Sequence, residues 1–152
     1  MELTGSLRDR LDGVALSAHL ATAVDDRPHV APVWFVLDDG SDALWLFTGG
    51  RKLDNLRRNP RVALSVESAD RAGNVDWQAT LLGTARVVDD PERAAWVDRR
   101  LSETYGMNGD DAGAEADATG KGAVADDAGS DGADGEGALV RVDVRTATLT
   151  AF

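Results

Sequence analysis

The chain has 152 residues and contains no cysteine. That absence excludes disulfide bonds, thiolate metal sites and cysteine nucleophiles. No apolar run approaches the ~20 residues that a membrane-spanning helix requires. The opening residues, 1–13, also lack the charged, apolar and small-residue zones of a signal peptide. The simplest expectation is a cytoplasmic protein.

Histidine is scarce as well, since only His19 and His29 occur. They have no His-x-x-x-His spacing, and with cysteine absent no metal site is expected. Both are interpreted as packed or surface residues. No serine lies in the strand-turn-helix context of a nucleophile elbow, so a serine hydrolase is not predicted.

Positive charge is the third scarcity, because the chain has 16 Lys or Arg against 27 Asp or Glu. The formal net charge of −11 argues against nucleic acid and anionic lipid as partners. Lysine occurs only at Lys52 and Lys121. A chain that is acidic, rich in Asp and poor in Lys favours a salt-adapted, halophilic source.

Much of the acidity lies in residues 108–137, which carry nine acidic residues and one lysine. The segment is otherwise mostly Gly and Ala, with almost no large apolar side chains. It cannot offset an ordering cost of about 1–2 kcal/mol per residue. We predict a disordered insertion at 108–137, inside a single domain that spans residues 1–152.

The rest of the chain has the alternation and turn signals of short antiparallel strands, with no repeated strand-helix-strand pattern. Helices are predicted over 3–12, 50–58 and 90–105, the last with Asp90 as its cap and Gly106 as its stop. The expected fold class is mainly β (α+β), a small barrel of six antiparallel strands with two or three short helices. The six strands are predicted over 14–24, 29–37, 43–47, 61–68, 75–90 and 138–152, with a bend in the fifth at Gly83.

Two cations stand where a helix would normally favour acids. The stretch "LFTGGRKLDNLRRNP" predicts a strand, a glycine turn and a helix that stops at Asn59-Pro60. Arg51 and Lys52 fall in the first turn, at the positive end of the helix dipole. A phosphate held by the free N–H groups of that turn would account for both cations. Solvated surface side chains are the alternative.

The same region resembles the pyridoxamine 5′-phosphate oxidase-like family of flavin-binding split β-barrels. The similar elements are an aromatic-Thr pair, Phe47-Thr48, then the Arg51-Lys52 pair, then the run Asn59-Pro60-Arg61-Val62. Gln78 follows, ahead of a strand with the pattern apolar-x-apolar-x-Gly-x-Ala, in which the glycine is Gly83. The resemblance covers roughly residues 12–105 and the last strand, and it implies a split barrel.

The resemblance also implies a cofactor and a set of contacts. Arg51 and Lys52 would hold the phosphate of flavin mononucleotide (FMN), with the Phe47-Thr48 pair beside it. Gln78 would hydrogen-bond the cofactor, and the strand from Val30 to Phe35 would run along the isoalloxazine. Two-fold homodimers with contacts from both chains are implied too. The implied binding residues are therefore Arg51, Lys52, Phe47, Thr48, Gln78, Val33 and Trp34.

The function expected from this resemblance is an FMN-binding oxidoreductase that transfers a hydride or electrons to a small substrate. Pyridoxamine phosphate is not the expected substrate, because the family's oxidases carry a basic residue at each end of the strand that matches Val30–Phe35. Here those ends are Val30 and Phe35 themselves. A deazaflavin-dependent reductase on the same fold is one alternative, and a non-catalytic flavin carrier or sensor is another. No catalytic side chain is identified.

Overall fold

The computed structural model describes residues 3–106 and 137–152. They form three helices and seven strands. The predicted insertion lies outside the described residues, except for Gly137. In chain order the elements are α1 (Gly5–Leu11), β1 (Ala18–Val24), β2 (Arg27–Val33), β3 (Val36–Leu37), β4 (Ala43–Thr48), α2 (Gly50–Arg58), β5 (Arg61–Ala69), β6 (Val75–Val87), α3 (Pro91–Tyr105) and β7 (Ala138–Ala151).

The predicted fold class is confirmed, but the predicted count of six strands is wrong by one. The strand expected over 29–37 is two strands, β2 and β3, separated by Trp34 and Phe35. All strand pairs are antiparallel, and the sheet order is β2-β1-β5-β6-β7-β4-β3. A two-residue link thus joins the strands at opposite ends of one sheet. The sheet must curl until those ends meet, which closes a split barrel.

Alternation along the strands divides side chains between the inside and the outside of this barrel. On β4, Leu44 and Leu46 are fully buried in the interior core, whereas Trp45 and Phe47 belong to a second cluster outside it. Leu7 and Leu11 of α1 join the interior core, as their four-residue spacing predicts. Period-two alternation therefore holds in the curled sheet and defines its two faces.

Helix α3 covers only part of the outer face. It packs over β3, β4 and the first half of β7 in the second buried cluster, which consists of Val36, Trp45, Val97, Leu101 and Leu139. Neither buried cluster contains an outward side chain of β1, β2, β5 or β6. On that other half, Val30 is 61% exposed and Leu82 is 48% exposed.

The ends of α3 follow the predicted signals. The Asp90 carboxylate accepts hydrogen bonds from the N–H groups of Glu92 and Arg93, each at 3.1 Å. Gly106 ends the helix with φ of +68°, a left-handed conformation that glycine tolerates best. None of the helices in the described part of the chain combines the length and the apolar character that crossing a membrane would need.

Gly83 allows β6 and β7 to approach closely where their pairing slips. The register between the two strands shifts between Leu82 and Gly83, which agrees with the bend predicted at that glycine. A Cβ atom at position 83 would collide with the main-chain carbonyl of Asp143. Glycine is therefore required here by contact with backbone.

Tyr105 links the two ends of the closed sheet through hydrogen bonds and a ring stack. We call the place where these ends meet the seam. Its hydroxyl donates to the Leu16 carbonyl at 2.6 Å, and the Phe35 N–H donates to the same oxygen at 3.4 Å. Its ring stacks on Trp34 with the centroids 4.5 Å apart. The last residue of α3 thus holds both the β2–β3 link and the segment that enters β1.

This burial makes a prediction about alkaline stability. Burial raises the pKa of Tyr105 to about 12, against an ordinary value of 10.0, because the charged phenolate is disfavoured there. Between these pH values the unfolded chain releases the proton and the folded chain keeps it. The free energy of unfolding should therefore fall as pH rises from about 10 to 12, by up to about 2 kcal/mol.

Tyr105 is the only tyrosine, so tyrosinate absorbance follows this group alone. Tyr105→Phe should remove the corresponding part of the alkaline loss of stability, measured by denaturant unfolding at each pH. Titration of the native phenol near its ordinary pKa would contradict the prediction.

Candidate functional site

The amino end of α2 is open to an anion. Gly49 occupies the cap position, and it makes no side-chain cap hydrogen bond. Gly50 has φ of +60°, which an L side chain rarely adopts. The first turn contains no acidic residue. Its leading N–H groups have no intrahelical acceptor, so they are available as donors to a ligand.

The two cations of this turn occupy different environments. Arg51 is exposed, whereas Lys52 is fully buried at 0% exposure. Their sequence positions suggest an equivalent pair, but in the folded chain the two side chains differ in burial. Arg51 remains free to reorient toward an incoming anion, while Lys52 belongs to the packed end of the barrel.

Thr48 lies immediately before this turn and is buried at 1% exposure. Its hydroxyl has no hydrogen-bond partner among the residues that the structure describes. The last pair of the β4–β7 ladder joins Thr48 to Ala138. A Cβ atom at Gly137 would lie 3.0 Å from the Thr48 carbonyl oxygen, so the two backbones meet closely. An anionic group would suit the combination of this hydroxyl with the open helix end and Arg51.

Aromatic side chains border the same end of β4 on the outer face. Phe47 and Trp34 are both partly buried against the cluster under α3. Trp34 stacks face to face with Tyr105, at an interplanar angle of 10°. The fold therefore brings Trp34 and Phe47 into one outward-facing apolar region.

Two predicted residues stand apart from this region. The Val33 side chain is buried in the interior core, so only its main chain could meet a ligand on the outer face. Gln78 pairs with Glu67 and Thr150, near the far end of β6. The β6–β7 ladder from there to Val87 corresponds to roughly 30 Å of strand at ~3.3 Å per residue. Along the ladder, Gln78 is therefore distant from the strand ends that lie beside Thr48.

Other polar groups have structural roles. The Asp38 carboxylate accepts hydrogen bonds from Trp45 Nε1 at 2.7 Å, the Gly40 N–H at 3.0 Å and the Ser41 hydroxyl at 2.8 Å. Burial opposes its ionisation, but these bonds outweigh burial and hold the pKa of Asp38 below its ordinary value of 3.8. Within residues 3–106 and 137–152, no group of three or more His, Asp or Glu could hold a metal ion.

Sequence reasoning missed two residues that shape the region. In the sequence, Tyr105 is only the last residue of a predicted helix. Nothing there indicates that its ring stacks on Trp34. Gly137 falls within the predicted acidic insertion, yet its backbone lies against Thr48. A glycine just before a strand is a weak signal, because only the strand register shows which residue it faces.

Comparison with known families identifies a match over most of the chain. The family model described as pyridoxamine 5′-phosphate oxidase matches residues 15–128, well over half of the chain. Comparison with curated protein sequences finds no significant match.

Solved structures with the same fold span nearly the whole chain. A conserved hypothetical protein from Mycobacterium tuberculosis has a TM-score of 0.67 and 24% identity, covering 98% of this chain and 85% of its own. A FAD-binding protein from Mesorhizobium loti has a TM-score of 0.61 and 16% identity, covering 97% and 94%. A protein described as an F420 reductase has a TM-score of 0.59 and 24% identity, covering 92% and 94%.

The Thr48 hydroxyl, which has no partner within residues 3–106 and 137–152, makes a prediction about stability. Thr48→Val should leave the free energy of unfolding unchanged or raise it by up to about 2 kcal/mol, because a buried hydroxyl without a partner is unfavourable. Thr22→Val is the matched control, since the buried Thr22 hydroxyl accepts a hydrogen bond from Asn55 Nδ2 at 3.0 Å. The control should lose about 1 kcal/mol.

Denaturant unfolding without added ligand measures both variants. A larger loss for Thr48→Val than for Thr22→Val would show that the Thr48 hydroxyl already serves the fold.

Proposed function

Because the chain belongs to the pyridoxamine 5′-phosphate oxidase family, we propose that it is an oxidoreductase that binds FMN at the amino end of α2. One observation carries the proposal: an uncapped helix start lies beside a buried hydroxyl that has no partner among the described residues. The proposal extends to the residues that hold the cofactor and to a second copy of the chain.

The phosphate of FMN is the group that best suits this helix end. A phosphate carries negative charge and strong acceptor oxygens, which match the positive end of the helix dipole and its unused N–H groups. The Thr48 hydroxyl would donate to one oxygen, and the Arg51 guanidinium would supply charge-assisted hydrogen bonds from solvent. Lys52 would add positive charge from within the barrel end.

The ring system of the cofactor would lie along the outer face. Trp34 and Phe47 offer apolar contact there, and the main chain of Val33 offers hydrogen-bonding groups. The flavin would supply the redox chemistry, while the protein supplies binding, orientation and electrostatics. We assign no described side chain as a proton donor. The proposed substrate is a small molecule.

A deazaflavin-dependent reductase is the second candidate. The observation that favours it is the shared fold with a protein described as an F420 reductase, at 24% identity. Arg57 and Arg58, exposed in the last turn of α2, could meet a longer acidic tail. Absorption and fluorescence of the cofactor released by heat separate flavin from deazaflavin. Turnover of reduced nicotinamide or reduced deazaflavin with an electron acceptor separates both from a non-catalytic carrier or sensor.

We propose that the functional unit is a homodimer. Gln78 lies far from Thr48 within one chain, so a contact from Gln78 to the cofactor requires the partner subunit. A second copy would dock on the half of the outer face that α3 leaves uncovered, over β1, β2, β5 and β6. Two chains that each carry a net charge of −11 repel, and they approach best through a face without charge.

Such a face exists on the outer side of five neighbouring strands. Strand register aligns two adjacent rows of outward residues, and neither row contains Asp, Glu, Lys or Arg. We call these rows the uncharged face. Its residues are Val30, Ala21, Ala63, Leu82 and Thr146 in one row, and Pro32, His19, Ser65, Thr80 and Thr148 in the other.

The phosphate assignment is tested by comparing FMN with riboflavin, which lacks the phosphate. Arg51→Ala should weaken FMN binding by about 1.5–3 kcal/mol, the scale of lost hydrogen bonds to a charged group, and leave riboflavin binding nearly unchanged. Lys52→Met should show the same selectivity, because methionine keeps a long apolar side chain at this buried position. Calorimetry or fluorescence titration measures both ligands.

Arg57→Ala is the matched control, since Arg57 is an exposed arginine at the opposite end of the same helix. It should change neither affinity. Equal weakening of FMN and riboflavin by Arg51→Ala would refute the phosphate role.

The dimer is tested at Leu82, the exposed leucine of the uncharged face. Leu82→Asp should raise the dimer dissociation constant at least about tenfold, because the dimer would bury an unpaired carboxylate. Sedimentation velocity measures it. Phe152→Asp is the control, since Phe152 is the most exposed large apolar residue of the described chain at 77% and lies outside both rows. A monomeric wild type, or a dimer indifferent to Leu82→Asp, would reject this interface.

A further inference from the structure

We propose that Tyr105 is a positioning residue for the cofactor site: it holds the Trp34 indole in place as one wall of the ring-binding region. This inference rests on the proposed flavin site. It assigns a role to a residue that neither the family motifs nor the helix end suggests.

The backbone around Trp34 lies outside the strand pairing of the barrel wall. β2 ends at Val33 and β3 begins at Val36, so Trp34 and Phe35 lie between the two strands and belong to neither ladder. A side chain on such a link depends on contacts from elsewhere for a fixed orientation. Trp34 is also only partly buried, so its indole keeps an accessible surface.

Tyr105 supplies those contacts from two directions. Its hydroxyl joins the Leu16 carbonyl at 2.6 Å to the Phe35 N–H at 3.4 Å, which anchors the ring across the seam. Its ring lies nearly parallel to the Trp34 indole, with centroids 4.5 Å apart. One face of the indole is therefore covered by Tyr105, and the anchored phenol prevents the pair from turning together.

The pair lies where the proposed ligand needs a wall. Trp34 and Tyr105 pack against the same outer cluster as Phe47. Phe47 precedes Thr48 and the open end of α2. A planar ring system extending from that helix end along the outer face would meet an indole whose orientation is already set, and preorganisation of this kind favours binding.

A double-mutant cycle on FMN affinity tests the inference. Tyr105→Leu should weaken FMN binding about three- to tenfold, the scale of one aromatic stacking contact. Trp34→Leu should weaken it by a similar factor, and the double variant should bind no more weakly than Trp34→Leu alone. Tyr105→Phe keeps the stacked ring and should retain most of the affinity.

The emission of bound FMN gives a second readout. An adjacent indole quenches flavin emission, so emission should rise in Tyr105→Leu and in Trp34→Leu. Trp96→Leu is the matched control, because Trp96 lies on the same helix and packs on the same outer cluster, while its ring contacts are with Arg93 and Arg100. It should change neither affinity nor emission.

Three outcomes would overturn the inference. Tyr105→Leu could leave FMN affinity and emission unchanged in a folded protein. It could weaken FMN by the same factor with and without Trp34, which would indicate a general structural effect. If wild-type protein binds no flavin nucleotide, the proposed function fails as well, whereas the first two results refute only the role of Tyr105. Should Tyr105→Leu not fold, Tyr105→Met replaces it in the cycle.

Discussion

A two-residue link between the strands at opposite ends of the sheet constrains most of this structure. Trp34 and Phe35 cannot span a flat sheet of seven strands about 4.8 Å apart, so the sheet closes on itself. Closure creates an interior that Leu44, Leu46 and the α1 leucines fill. It also creates an outer face that α3 covers over one half only. This closure also produces the junction between β2 and β3, the half of the outer face that α3 leaves uncovered, and the aromatic region beside α2.

The cations at the start of α2 have a physical explanation within that arrangement. Helix α2 begins at glycines, and its first turn has neither a side-chain cap nor an acidic residue. The positive end of its dipole is therefore left open just after β4. Placing Arg51 there is unfavourable for an isolated helix and favourable once an anion binds. Burying the Thr48 hydroxyl beside the same turn, without a partner among the described residues, is likewise unfavourable until a ligand binds. Both features cost stability in the free chain, and binding of the proposed cofactor would offset that cost, as is common at functional sites.

Most of the predicted cofactor contacts lie together within one chain, whereas one of them would need a second chain. Thr48, Phe47 and Trp34 gather at one end of β4, while Gln78 lies far along β6 on the exposed face. A strongly acidic chain that leaves two adjacent rows of its sheet without charge has a surface suited to self-association. The proposed dimer and the proposed cofactor site are therefore linked through Gln78.

Local patterns in the sequence determined the helices, most strands, the cap at Asp90, the stop at Gly106 and the bend at Gly83. These depend on neighbouring residues, whose spacing and backbone preferences are written in the chain. The break between β2 and β3 was not predictable, because an apolar run reads the same whether it stays on one strand or crosses a seam. The different burial of Arg51 and Lys52, the stack of Tyr105 on Trp34 and the approach of Gly137 to Thr48 were decided by the tertiary structure. Each is a contact between segments distant in sequence, and only closure of the barrel determines which of those segments meet.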